Sequence, residues 1–370
     1  MSALFSSSAV GSLELPNRII VSPMCQYCAV DGLANSWHLS HLGGLAQSGA
    51  GMLFVEATAV EPAGRITPGC LGLWDDATEA ALRPVVSAVR ENSPIAFALQ
   101  IGHAGRKASS AVPWKGGALL HSEEGGWTTI GPSPVAQKEG ETLPMALDAA
   151  GLVRIKHLFV ETAKRAARLG FDALEIHAAH GYLLHEFLSP ISNQRTDEYG
   201  GSLENRMRFV LETYDAVREA FPADKPVGVK ISATDWVDGG WDLEQSVELS
   251  SALKAKGVAW ITASSAGISP SQKIKVGPNY QVPFAERIKA ETGVTTVAVG
   301  LITEPKQAED VIADGKADFV ALARGMLYDP RWPWHAAAEL GGVVEAAPQY
   351  WRAPPHGYGR VFGDVAHGAR

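Results

Sequence analysis

The stretch DAAGLVRIKHLFVETAKRAARLGFDALEIHA, residues 148–178, contains the unit from which the fold is built. Its first part spaces apolar residues at helical intervals, opens on Asp148 and closes at Gly170, as helix caps demand. Its last six residues, ALEIHA, form a short apolar strand. Outward from there the same alternation recurs. The candidate strands are RIIVSPM (18–24), MLFVEATAV (52–60), IAFALQI (95–101), ALEIHA (173–178), VGVKISA (227–233), AWITASS (259–265), TTVAVG (295–300) and FVALAR (319–324). Strands this apolar, separated by crossover helices, pair in parallel under a helical coat. Eight of them close most economically as an α/β fold of the (β/α)8 TIM barrel type, for which ~250 residues is typical.

The chain has 370 residues, and its excess length has an address. Residues 103–147 are rich in Gly, Pro and Ser and hold no sustained period. A segment of this length after the third strand reads as a cap or lid over a site, with a peripheral insertion as the alternative. The tail, 341–370, contains the aromatic run APQYWRAPPHGYGR and is expected to pack on something. The expected organisation is one barrel domain over 1–370.

Bulk properties exclude several partners. A composition of 46% hydrophobic and 19% charged residues is that of an ordinary globular domain. The net charge of -8, from 40 acidic and 32 basic residues spread along the chain, leaves no basic face for nucleic acid or an anionic membrane. No apolar run reaches the roughly 20 residues a bilayer requires. Three cysteines are too few for a disulfide framework, and the N-terminal sequence lacks the pattern of a signal peptide, so a cytoplasmic location is expected.

Barrel enzymes take their reactive side chains from the C-terminal ends of the strands. Here those ends supply Pro23, Met24 and Cys25; Gln100 and His103; His177, His180 and Tyr182; Lys230; Gly300; and Arg324. His177 and His180 stand three apart where strand gives way to turn, so both rings can converge on one ligand oxygen. Tyr182, a phenol protonated at neutral pH, can supply a proton. Zinc ligation, or imidazoles that merely satisfy backbone groups, are the competing readings. The turns around Gly300 and Arg324 follow the last two strands, where these barrels commonly hold a phosphate. Cys25 and Cys28 form a Cys-x-x-Cys without the helix N-terminus of a redox dithiol or the partners of a structural zinc.

The segments SPMCQY, LQIGHAGRK, HAAHGYLLHEFLSPISNQRTDEYGGSLENR, VKISATDW and VGLIT, in this order, resemble the Old Yellow Enzyme family of FMN-dependent ene reductases, in its thermophilic-like subclass. The likeness covers essentially the whole chain. It implies that Ser22, Pro23, Met24 and Cys25 flank the flavin, with Ala57 and Gln100 on its pyrimidine side. Lys230 would face N1 and O2, where the family usually has Arg. Gly300, Leu301, Ala323 and Arg324 would hold the phosphate, with Ala323 standing where Gly is usual. His177 and His180 would bind the electron-withdrawing oxygen of an enone or related activated alkene, Tyr182 would protonate the carbon α to it, and Tyr27 would add a second phenol. Cys25 would tune the flavin, whereas Cys28 reads as a small buried hydrophobe.

The tail resemblance implies a homodimer or homotetramer in which Arg352 enters the neighbouring subunit's site and Trp351 forms a pocket wall. A tail folded on its own barrel is the alternative. NADPH or NADH would be the reductant. Rival readings are a barrel aldolase or isomerase using Lys230 as a Schiff base, and a flavin-binding scaffold without turnover. The related dienoyl-CoA reductases require a cysteine cluster and further domains that this sequence does not have.

Overall fold

A computed structural model describes residues 2–365. Eight parallel strands close into one barrel in chain order: β1 (Ile19–Val21), β2 (Met52–Ala59), β3 (Ala96–Gly102), β4 (Ala173–Ala178), β5 (Val227–Ser232), β6 (Ile261–Ser264), β7 (Thr296–Ala298) and β8 (Phe319–Leu322). Each neighbouring pair is parallel, including β8 with β1, so no edge is left open. This is the expected (β/α)8 TIM barrel.

The crossover helices are α1 (Ser36–Ala46), α2 (Asp76–Asn92), α3 (Ala149–Leu169), α5 (Leu203–Ala220), α6 (Leu243–Ala255), α7 (Val282–Thr292) and α8 (Pro305–Ala313), with α10 (Trp332–Leu340) after β8. The caps follow the sequence: Asn35, Asp75, Asp148, Ser202 and Asp242 each accept a hydrogen bond from the first turn of their helix. Two short helices, α4 (Leu183–Leu188) and α9 (Arg324–Tyr328), sit at the C-terminal rim and interrupt the simple alternation.

The barrel interior is stratified, because alternate residues of each strand point inward. Its lower half is apolar, with Phe54, Ala98, Ala173, Trp260 and Phe319 packed together and closed beneath by the hairpin Ser8–Val10 with Leu13–Leu15. Trp260 fills its volume only because residue 228 is glycine: a Cβ there would lie 2.0 Å from the indole. Two residues up β4 from Ala173 comes Glu175, and two further comes His177. The interior therefore turns polar toward the end that carries the loops.

The segment after β3 folds as three short 3-10 turns and a small strand pair, Ile130–Gly131 with Met145–Ala146. The buried Arg106 ties it down, donating to Val135 O at 3.0 Å and to Ile268 O at 2.6 Å. The tail packs on the flank of its own barrel. Trp334 of α10 meets Tyr350 and Phe362 edge-on, at 5.5 and 4.8 Å between ring centroids.

Candidate active site

The catalytic candidates converge. His177 closes β4; its ring centroid lies 5.0 Å from that of His180 and 4.9 Å from that of Tyr182, and His180 and Tyr182 are 6.4 Å apart. The turn between them is forced. His180 has φ 59°, its amide donates to Ser232 Oγ at 2.9 Å, and Gly181 at φ 75° passes so close to the β6 loop that a Cβ would sit 2.0 Å from Gly267 O.

Hydrogen bonds fix what each ring presents. His177 Nδ1 accepts from the Ala179 amide at 3.2 Å, so its proton resides on Nε2. His180 Nε2 pairs with Ser264 Oγ at 2.8 Å and leaves Nδ1 for a ligand. Burial, reinforced at His177 by Lys230 and at His180 by His177, holds both imidazoles well below the usual histidine range, and they are neutral. Burial raises the Tyr182 phenol well above the usual tyrosine range. The cluster is two neutral imidazoles beside a protonated phenol.

Beside and beneath it lies a polar layer. Lys230 pairs in register with His177 on one side and Thr262 on the other. Its side chain is largely buried, and Glu175 is the carboxylate that acts on its charge. Burial lowers its pKa, opposed by Glu175 and Cys25. Gln100 Nε2 donates to Glu175 Oε1 at 2.7 Å, and Glu175 Oε2 accepts from Thr262 Oγ1 at 2.5 Å and Trp260 Nε1 at 3.0 Å. Gln100 is thereby oriented with its carbonyl oxygen free. A cation this far from bulk water is stabilised further when a ligand that carries negative charge meets it. An electron-rich ring edge that takes up negative charge, as the reduced FMN edge does, fits both Lys230 and Gln100.

The remaining candidates line the same rim. Ser22 is buried, with its amide on Leu322 O at 3.0 Å, and Pro23, Met24 and Cys25 continue from it. Ala57 pairs with Gln100 just beyond a bulge in β2. Burial first, then Cys70 and Glu56, raise the Cys25 thiol well above its ordinary pKa, and Cys28 rises to about 11; both are free thiols and neither is ionised. Tyr27 is edge-on to Trp114 of the insertion at 5.8 Å. On the far side Gly300 has φ 120° and a Cβ there would press on Gln281 at 3.0 Å, Leu301 has φ 52°, and Ala323 and the exposed Arg324 begin α9. Trp351 and Arg352 lie apart from this cleft: Trp351 packs against the cluster of Ala337, Val344 and Phe362 and donates to Ala346 O at 3.0 Å. Within one chain they do not line the site.

Sequence reasoning passed over Glu175, Thr262, Ser264 and Gln281. The first was accessible: it stands two residues before His177 on one strand and so shares its face. Among the described residues no three His, Cys, Asp or Glu side chains gather as a metal site, and no helix is long and apolar enough to cross a membrane.

Residues 3–341 match the family described as NADH:flavin oxidoreductase / NADH oxidase. An NADPH dehydrogenase of Geobacillus thermodenitrificans is 44% identical over 351 residues, covering 94% of this chain and 98% of that one. An NADH:flavin oxidoreductase of Gibberella zeae is 43% identical, with 94% and 88% covered. Among solved structures, morphinone reductase superposes with a TM-score of 0.75 at 29% identity, covering 94% of this chain and 92% of that one. The chain belongs to the NADH:flavin oxidoreductase / NADH oxidase family, and within it to the Old Yellow Enzyme type of FMN-dependent oxidoreductase.

Proposed function

We propose that this protein reduces activated C=C bonds of α,β-unsaturated carbonyl compounds, and of nitroalkenes and related nitro compounds, at the expense of NADPH or NADH. The observation that carries the reading is the cluster of neutral His177, neutral His180 and protonated Tyr182 with Lys230 on the neighbouring strand, in register with His177. The name of the Geobacillus relative supports NADPH as reductant.

FMN, when bound, would supply the hydride chemistry that connects the nicotinamide with the alkene. Lys230 would offset negative charge on the ring, Gln100 would hold its pyrimidine edge and Cys25 would flank it as a neutral, polarisable thiol. Ser22, Pro23, Met24 and Ala57 shape the cofactor's surroundings, and Gly300, Leu301, Ala323 and Arg324 hold its phosphate. His177 Nε2–H and His180 grip the substrate oxygen, polarise the conjugated system and stabilise the negative charge that develops there. Tyr182 gives its proton to the carbon α to the withdrawing group. Tyr27 adds a second donor near the oxygen, and Trp114 of the insertion packs edge-on against it. The protein is a cytoplasmic homodimer or homotetramer, and Arg352 completes the neighbouring subunit's site with Trp351 as a wall.

The test is anaerobic: reconstituted with FMN, the protein should bleach with NADPH and recover its colour with 2-cyclohexenone, yielding cyclohexanone. Bleaching without recovery would reduce the reading to an oxidase, flavin binding without bleaching would favour a scaffold, and absence of flavin binding would favour Schiff-base chemistry at Lys230.

A further inference from the structure

The 3-10 turn Gly105–Lys107 follows β3 directly and carries the Lys107 side chain into the seam between the β4 and β6 loops. There the Lys107 ammonium donates to His180 O at 2.7 Å and to Gly267 O at 3.1 Å. The two carbonyls converge because glycines separate them: a Cβ on Gly267 would sit 2.3 Å from His180 O. Convergent carbonyl dipoles repel, and a cation between them removes the conflict and pins the left-handed His180. The same ammonium lies 5.2 Å from the centre of the Tyr182 ring, within the range of a cation and aromatic contact. Neither the resemblance nor the reading of the rim assigned this residue a task.

We propose that Lys107 is a positioning residue for proton donation: it fixes the loop that presents His180 and Tyr182, and its charge offsets the phenolate left when Tyr182 gives up its proton. The inference rests on the reading of Tyr182 as the proton donor. In that step the Tyr182 O–H bond breaks with its electron pair retained on oxygen, a C–H bond forms at the α carbon, and solvent water later returns the proton. A positive charge on the ring side lowers the cost of the phenolate while leaving the preceding hydride transfer nearly untouched. Burial lowers the Lys107 pKa to about 8, with Glu186 opposing and Arg106 and Lys138 adding to the fall. The other groups that face it are His180 and Tyr182, one neutral and one protonated across this range. Its charge is therefore full below pH 8 and is lost as the pH rises through it.

A nitroalkene separates the two events, since hydride transfer gives a nitronate whose protonation is followed by its own absorbance. With reduced holoenzyme and 1-nitrocyclohexene under anaerobic stopped flow, Lys107→Gln, which keeps a donor but no charge, should slow nitronate protonation about tenfold, the equivalent of one pKa unit. Flavin reoxidation should stay within about twofold, and Lys107→Arg should restore protonation. Independently of turnover, the ring carbon of Tyr182 in 13C-tyrosine-labelled protein, identified by its absence in Tyr182→Phe, should shift with a midpoint near the pKa of Lys107 and should not do so in Lys107→Arg. Equal slowing of both events in Lys107→Gln, or of neither, with a Tyr182 signal indifferent to pH, overturns the proposal while leaving Tyr182 as donor. Unchanged nitronate protonation in Tyr182→Phe overturns the donor reading and this inference with it. If Lys107→Gln does not fold, the comparison of wild type with Lys107→Arg by pH profile and ring-carbon shift decides the matter alone.

Discussion

Replacing Lys230 with methionine removes the buried ammonium while keeping a side chain of similar reach. In the protein without flavin two effects oppose one another: the desolvation cost of a buried cation disappears, and Glu175 loses a favourable charge. Glu175 keeps its three hydrogen bonds, from Gln100, Trp260 and Thr262, so its orientation should survive and stability should change by no more than ~1 kcal/mol. The reduced cofactor has no such compensation. A unit charge at about 4 Å in an effective dielectric of about 20 is worth roughly 4 kcal/mol. With Glu175 balancing part of the lysine's charge, roughly half of that remains, which for a two-electron couple lowers the midpoint potential by ~45 mV. Potentiometric titration of the bound flavin against a reference dye measures this directly. Lys230→Arg, which keeps the charge and supplies the fork common in the family, should fall within ~15 mV of the wild type. An unchanged or raised potential in Lys230→Met, with flavin still bound, would refute the assignment of the cation to the reduced ring.

Other expectations follow from the same geometry. Cys25→Ala should shift the flavin potential whereas Cys28→Ala should not; equal shifts measured by the same titration would return the pair to a dithiol. Because the folded-state pKa values of His177 and His180 lie below that of an unfolded histidine, the unfolded chain takes up protons first on acidification, so stability falls as the pH drops below about 6.5. The loss should approach ~1.4 kcal/mol per pH unit for each histidine and be reduced in His180→Asn, as read by urea denaturation at pH 7 and pH 5. Gly181→Ala places a methyl group on Gly267 O and should cost ~3 kcal/mol or more, visible as a lowered melting temperature. Arg352→Ala should raise the KM for an enone without slowing flavin reduction by NADPH, and mixed oligomers of Arg352→Ala with Tyr182→Phe should regain part of the activity if the arginine acts across subunits.

Much of the barrel was legible because its signal is redundant: eight apolar runs alternate with helices, several of them capped, and a closed parallel sheet is what such units can build. Helix caps such as Asp148 and Gly170 are local chemistry and could be read directly. The short rim helices α4 and α9 were not, because five or six residues carry too little periodicity to separate them from a loop. The insertion showed only its composition. Its anchoring depends on Arg106 meeting the carbonyls of Val135 and Ile268, a contact between residues 162 apart that no local pattern announces. At the site, His177, His180 and Tyr182 were visible because they crowd one strand end. Ser264 reaches His180 from β6, and Gln100 and Thr262 reach Glu175 from β3 and β6, so the register of the closed barrel is what brings these partners together.

The central claim is that one site reduces an alkene in two separable steps, with Tyr182 needed only where a proton is delivered. Anaerobic stopped flow on wild type and Tyr182→Phe measures both half reactions on the same samples. The account predicts that flavin reduction by NADPH stays within a factor of about two, while reoxidation by 2-cyclohexenone slows by about 10² or more, the usual worth of a positioned general acid. Equal loss in both half reactions, or reoxidation at the wild-type rate, would contradict it.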